Sequence, residues 1–183
     1  MDDALTGSGE RILPHAETDA KLEWVRLQYE ELGPGLRRYL MRRLGNPGQA
    51  EDLVQETFLR LYEEAGRGRR IGNLRSWIFQ VGHNLAVDSQ RRRDCEDWAV
   101  GMAFAENRRE QMPEAETSLL RAERNRLVRE ALALLSPQER QCLELRAEGL
   151  RYREIADIMG LDISTVTTYV DRAVRKIARR VHD

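Results

Sequence analysis

Residues 136–181 read SPQERQCLELRAEGLRYREIADIMGLDISTVTTYVDRAVRKIARRV, and the punctuation of this stretch decides the fold. Ser136-Pro137-Gln138-Glu139 has the form of a helix start: a hydroxyl at the N-cap, proline at the first helical position, and a carboxylate three residues on. Gly149 ends that helix. A second, over about 152–159, turns Ile155 and Ala156 inward and stops at Gly160, which tolerates the left-handed conformation of a tight turn. Ser164 is expected to cap a third helix, whose Val166, Val170, Ala173 and Ile177 recur at helical spacing and face a core. Thr165, Thr168, Arg172, Arg175, Lys176 and Arg179 are left as an exposed stripe. Hydroxyls near the helix start with guanidiniums further along suit entry into a DNA major groove, and the whole has the spacing of a helix-turn-helix. A basic stripe is also compatible with a merely solvated face, so the rest of the chain must arbitrate.

The chain has 183 residues, 41% hydrophobic and 33% charged, with only five prolines. That length allows one ordinary domain or two small ones, and the composition points to an all-α protein. No apolar run of about 18 residues occurs, so no membrane span is expected. Residues 1–18 lack the basic start and apolar segment of a secretory signal and read as a disordered tail. Cys95 and Cys142 lie far apart and outside any CxxC pattern, which argues for a reduced, cytoplasmic setting and against a disulfide framework or a zinc site. The net charge of −1 is unusual for a nucleic-acid binder, but it is an average. Residues 1–35 carry −5, 36–65 zero, 66–93 +6, 94–120 −5 and 121–183 +3. Two basic blocks separated by an acidic one suggest two binding modules on a tether.

In the N-terminal half, helical patterning begins at Thr18, with Leu22, Val25, Leu27 and Leu32 leading to Gly33-Pro34-Gly35. That triplet is expected to break the helix, which restarts through Leu36, Tyr39, Leu40 and Leu44. Asn46-Pro47 then supplies an N-cap and an N1 proline. The helix that follows, about 47–65, puts Ala50, Val54, Thr57, Phe58, Leu61 and Ala65 on one face. Its other face carries Asp52, Gln55, Glu56, Leu59 and Glu63. Leu59 among carboxylates is either an ordinary exposed leucine or the centre of a docking surface for a basic partner. After the basic loop 66–72, Asn73 is placed to cap a helix to about Arg93, with Leu74, Trp77, Ile78, Val81 and Leu85 lining its inner side. Trp77 is open to two readings, core or stacking platform. Gln80, Asn84, Asp88 and Arg91 follow along an adjoining face, and such a face ending in Arg91-Arg92-Arg93 suits unpaired bases and phosphates. Asp88 is expected to pair with Arg91 or Arg92, and His83 to be structural or a phosphate neighbour.

Taken in order, AEDLVQETF (50–58), Trp77 with Asn84-Leu85-Ala86, Asp88 and Arg91-Arg92, then Leu135-Ser136-Pro137, Glu154-Ile155-Ala156, Gly160 and Ser164-Thr165-Val166 resemble a bacterial RNA polymerase sigma factor. The resemblance is to the sigma-70 family, in its small extracytoplasmic-function (ECF) group. It implies two small helical domains joined by a linker, the C-terminal one a helix-turn-helix: a tail at 1–18, region 2 at 19–93, an acidic linker at 94–118 and region 4 at 119–183. It further implies that Asp52, Gln55, Glu56 and Leu59 dock on the clamp coiled coil of the largest subunit of core RNA polymerase. Arg67, Arg69, Arg70, Asn73, Trp77, Asn84, Arg91, Arg92 and Arg93 would recognise and melt the −10 promoter element. Thr165, Thr167, Thr168, Arg172, Arg175 and Lys176 would read the −35 element as duplex DNA. An anti-sigma factor is an implied partner, and no cofactor or metal is. The linker would cross the polymerase, with Trp98 and Phe104 packing against something.

Two departures from the family pattern stand out. Thr167, Thr168 and Tyr169 occupy places where many relatives carry basic residues, and Arg151 stands where a serine often caps the first helix of the motif. Among other functions, a decoy for an anti-sigma factor would need neither the 91–93 arginines nor the basic third helix. A dimeric operator-binding regulator would leave residues 47–93 without purpose and lacks a heptad seam. An enzyme is disfavoured because no phosphate loop, HExxH or nucleophile elbow occurs.

Overall fold

A computed structural model describes residues 18–67, 71–99 and 130–182. The tail 1–17, Arg69, Arg70, Phe104, the side chain of Trp98 and the linker beyond residue 99 lie outside the described residues. All the described elements are helices, and they fall into two units, within residues 1–109 and 110–183.

The first unit is a three-helix bundle of α1 (Thr18–Leu44), α2 (Pro47–Gly66) and α3 (Leu74–Ala99). α1 and α2 run antiparallel: Lys21 lies over the Tyr62 ring at 3.7 Å, Tyr29 meets Phe58 edge-on at 5.0 Å, and Arg37 pairs with Glu51 at 2.7 Å. α3 returns parallel to α1, bringing Phe79 and His83 against Tyr39. Leu36, Tyr39, Leu40, Val54, Leu61, Ile78 and Phe79 are the core. At Gly82, α3 packs closely on side chains of α1 and α2. A Cβ there would stand 2.7 Å from Leu36 Cδ1 and 3.5 Å from Thr57 Oγ1.

The expected break at Gly33-Pro34-Gly35 does not occur; α1 runs through Pro34. An interior proline costs roughly 3 kcal/mol, whereas each buried Leu-sized side chain returns about 1.5–3 kcal/mol. Leu32, Leu36, Tyr39 and Leu40 flank the proline and are buried against α2 and α3, so packing on both sides holds the helix continuous. Leu22 and Leu27, read as part of the same apolar stripe, are exposed. At its far end α3 continues past Arg93 to Ala99. Asn46 caps α2 through Gln49 N–H (3.1 Å), and Asn73 caps α3 through Ser76 N–H (3.0 Å), as their positions predict.

In the second unit, helical residues 130–133 lead into α4 (Pro137–Ala147), α5 (Tyr152–Met159) and α6 (Ile163–His182). The Ser136–Glu139 capping box is formed in both directions, at 3.2 and 2.9 Å. Gly149 (φ 88°) follows α4, and Gly160 (φ 64°, ψ 38°) caps α5 in the left-handed region. Leu161 N–H closes back on the Ala156 carbonyl at 2.9 Å, so three residues turn the chain into α6. The core joins Leu145, Leu150, Ile155, Val166 and Ala173. Ser164 is not the cap of α6. The helix starts at Ile163, and the Asp162 carbonyl takes the Val166 N–H (3.0 Å), which makes Asp162 the boundary residue.

Candidate DNA and polymerase interfaces

On α6, Val166, Val170 and Ala173 are buried and Ile177 is half-buried, which leaves Thr168, Arg172, Arg175 and Arg179 on one exposed face. Thr165, Thr167 and Tyr169 are half-buried at its margins. The Thr167 and Thr168 hydroxyls donate to the Ile163 and Ser164 carbonyls, at 2.8 and 2.9 Å. Their oxygens keep lone pairs, and their methyls remain free to meet a base edge.

Lys176 belongs to a different environment. Its ammonium donates to Glu139 Oε2 at 2.7 Å and to the Leu134 carbonyl at 3.2 Å. Glu139 is only 4% exposed, and Lys176 together with the Ser136 N–H holds its carboxyl below the usual carboxylate range. One carboxylate thus caps α4 and ties it to α6. A second strap, Arg180 to Glu130 at 2.6 Å, sits one turn further on. At α5, Arg151 has no acceptor in its side chain to offer, so half of a capping box forms: Glu154 Oε2 accepts the Arg151 N–H at 2.6 Å. Cys142 is fully buried and burial pushes its thiol up to about 11, which makes it packing rather than a nucleophile.

The outward face of α2 agrees with its helical register. Asp52, Gln55 and Leu59 are exposed, Leu59 to 60%, and Glu56 is half-buried beside Arg60 at 2.9 Å. The inner face is the expected six residues. Glu51, on the α1 side, accepts from Arg37 Nε (2.7 Å) and Nη2 (2.9 Å) and from the Tyr29 hydroxyl (3.3 Å), which locks the α1–α2 seam.

Along α3, Gln80, Asn84, Asp88, Arg91 and Arg92 are exposed, and Trp77 is half-buried between that line and the core. Asp88 makes no ion pair with Arg91 or Arg92 among the described residues, contrary to the spacing argument. Both guanidiniums therefore face solvent without that partner. Arg67 closes the end of α2 and pairs with Glu64 at 2.6 Å, while the Asn73 carbonyl oxygen is engaged as a cap. Arg93 turns inward to Gln49 Oε1. His83 is buried, 2.7 Å from the Tyr39 hydroxyl through Nδ1, and burial together with Arg43 lowers its pKa to about 4. It is structural and neutral. Phe79 and Gly82 are core residues that the periodic reading passed over, because they lie on the flank of α3 that α1 covers. Among the described residues no group of His, Cys, Asp or Glu has the arrangement to hold a metal, and no helix is long and apolar enough to cross a membrane.

Comparison with known proteins matches residues 28–95 to the family described as Sigma-70 region 2 and residues 125–177 to Sigma-70, region 4. The chain is 31% identical over 169 residues to the ECF RNA polymerase sigma factor SigL of Mycobacterium tuberculosis, covering 91% of this chain and 93% of that protein. It is 32% identical to EcfG of Rhodopseudomonas palustris, over 79% and 78% of the two chains. Against BldN of Streptomyces coelicolor it is 32% identical over 85% of its own length, and it spans 59% of that relative. The sigma factor RpoE solved with the anti-sigma factor NepR from Bartonella quintana has the same fold, with a TM-score of 0.66 at 24% identity over 91% of this chain and 98% of that one. So does CnrH, solved with the cytosolic domain of CnrY (TM-score 0.59, 20% identity, 90% and 92%). With both regions matched in order, and with relatives above 30% identity aligned over most of their length, the chain belongs to the ECF group of the sigma-70 family of RNA polymerase sigma factors.

Proposed function

We propose that the chain binds core RNA polymerase and directs promoter-specific transcription initiation, with the work divided between its two units. Residues 19–93 act as region 2 and residues 119–183 as region 4, joined by the acidic tether 94–118, with 1–18 as a tail. The observation that carries this is the outward face of α2, where Leu59 stands 60% exposed among Asp52, Gln55 and Glu56, on the same bundle as the exposed line of α3. An exposed apolar centre ringed by carboxylates suits a basic helical partner, and the clamp coiled coil of the largest polymerase subunit is that partner. Arg67, Arg69, Arg70, Asn73, Trp77, Asn84 and Arg91–Arg93 serve the −10 element, through stacking on a half-exposed indole and neutralisation of phosphates. Unstacking a base costs a few kcal/mol, which such contacts offset without ATP. Thr165, Thr167, Thr168, Arg172 and Arg175 read the −35 duplex from α6, and Lys176 contributes by fixing that helix on α4.

The protein works where polymerase and chromosome are, in the cytoplasm, as a binding subunit and not as an enzyme. An anti-sigma factor is a further partner, a proposal favoured by the two solved relatives described in complex with such proteins. Reconstitution with purified core polymerase, followed by mapping of transcript starts across genomic DNA, tests the function. Starts that share two upstream elements at a fixed separation are expected. Failure to associate with core, or to initiate on any sequence, refutes it.

A further inference from the structure

The outermost line of α6 carries one acid. Ser164, Thr168, Asp171 and Arg175 follow one another at steps of four, three and four residues, and each is exposed. On an α-helix such a line is about 16 Å long. Val166, Val170 and Ala173 hold the opposite side of α6 in the core, and the bond from Lys176 to Glu139 fixes one flank against α4. Asp171 thus stands within the face that the upstream duplex would meet, between Thr168 and Arg175. A carboxylate there repels phosphates, so its presence calls for a gain elsewhere. Among the described residues Asp171 makes no hydrogen bond and no ion pair. Arg175 stands four residues on, the spacing and order at which Glu56 and Arg60 do pair on α2. Both heads are therefore free to meet a ligand.

Hydrogen-bonding chemistry narrows what that ligand is. Thr167 and Thr168 spend their only hydroxyl protons on the Ile163 and Ser164 carbonyls, so toward a base both offer only acceptors and methyls. An ionised aspartate is acceptor-only as well. In the major groove the exposed amino groups are cytosine N4 and adenine N6. Adenine sets its N7 acceptor beside that amine, where a carboxylate is repelled, and cytosine has no such neighbour. We infer that Asp171 is a specificity-determining residue for the upstream element, its carboxylate accepting a hydrogen bond from the N4 amino group of one cytosine in the duplex. Arg175, its neighbour on the line, offsets the charge against the phosphates. The inference rests on the function proposed above and adds to it a base that α6 selects.

The test uses the full chain bound to core polymerase, on a promoter that the wild-type holoenzyme uses and on every single base-pair variant of its upstream element. Binding is measured for wild type, Asp171→Asn and Asp171→Ala; the site is exposed, and asparagine keeps the shape of the side chain. At one position the wild type should favour C·G by about tenfold over the other pairs. Asp171→Asn gains a donor for adenine N7 and should favour adenine in place of that cytosine. Asp171→Ala should bind all four pairs there alike, and should bind DNA without the element more tightly than wild type, because a repulsive charge is gone. A merely solvated or structural aspartate does not produce opposite signs for base preference and general affinity. Base preferences that stay as in wild type in either variant, with only a uniform change of affinity, overturn the inference. So does a change of preference confined to the downstream element, or loss of core binding by either variant. A wild-type holoenzyme that starts no transcripts is a different result and refutes the function itself.

Discussion

His83 shows how a single buried group sets a pH response. Its neutral ring is bonded to Tyr39 inside the bundle, and its pKa is lowered from 6.5 to about 4 by burial and by Arg43. Between those values the unfolded chain binds a proton that the native state refuses. Stability is thus complete above pH 6.5 and declines toward pH 4, by up to about 3 kcal/mol. The Glu139 carboxyl, lowered by Lys176, gives way only below its ordinary range, so urea titrations between pH 7 and 5 isolate the histidine. His83→Gln should flatten that dependence; an unchanged slope would place its origin elsewhere. Arg172 makes the other residue-scale case. It is exposed at the centre of the α6 face and makes no ion pair among the described residues. Arg172→Ala should weaken duplex binding by about 1–3 kcal/mol at one base-pair position if its fork meets a guanine edge. Binding measured on a set of single-base variants separates this from a phosphate contact, whose loss would be the same on all of them.

At the scale of the element, α1 has the most to teach. Gly33-Pro34-Gly35 is a sound breaker signal by local rules, yet the helix runs through it because both flanks bury leucines on the same neighbours. Pro34 is exposed and leaves the backbone without one helical hydrogen bond. Pro34→Ala should therefore stabilise the bundle by about 2 kcal/mol, the propensity gain of about 3 kcal/mol less the entropy of about 0.4–1 kcal/mol returned to the unfolded chain. A denaturation midpoint that rises with an unchanged m-value would confirm it, and a midpoint that falls would mean the proline is required for the path of the helix. α6 carries the complementary lesson. Its exposed and buried faces are legible from periodicity, but periodicity also puts Lys176 in the exposed stripe, because no local pattern shows that Glu139, 37 residues away, reaches it.

For the whole molecule, the proposed division of labour predicts separable defects. Asp52→Arg with Glu56→Arg reverses the charge of the outward α2 face. The only described partner there is Arg60, in an exposed i,i+4 pair worth at most about 1 kcal/mol, so the fold should survive. Core polymerase binding should be lost in a pull-down, while the duplex affinity of α6 remains. Loss of both together would mean that the two units do not act independently. The amino-acid sequence by itself determined the helical class, the two-unit order, the caps at Asn46, Asn73 and Ser136, the left-handed stop at Gly160 and the inner face of α2. Each of these rests on residues within a few positions of one another, where backbone geometry and period suffice. The tertiary structure alone decided that α1 is continuous, that Gly82 must be small, that His83 meets Tyr39, and that Lys176 is tied to Glu139. These depend on contacts between residues far apart in the chain, and only the packing of one helix on another creates them.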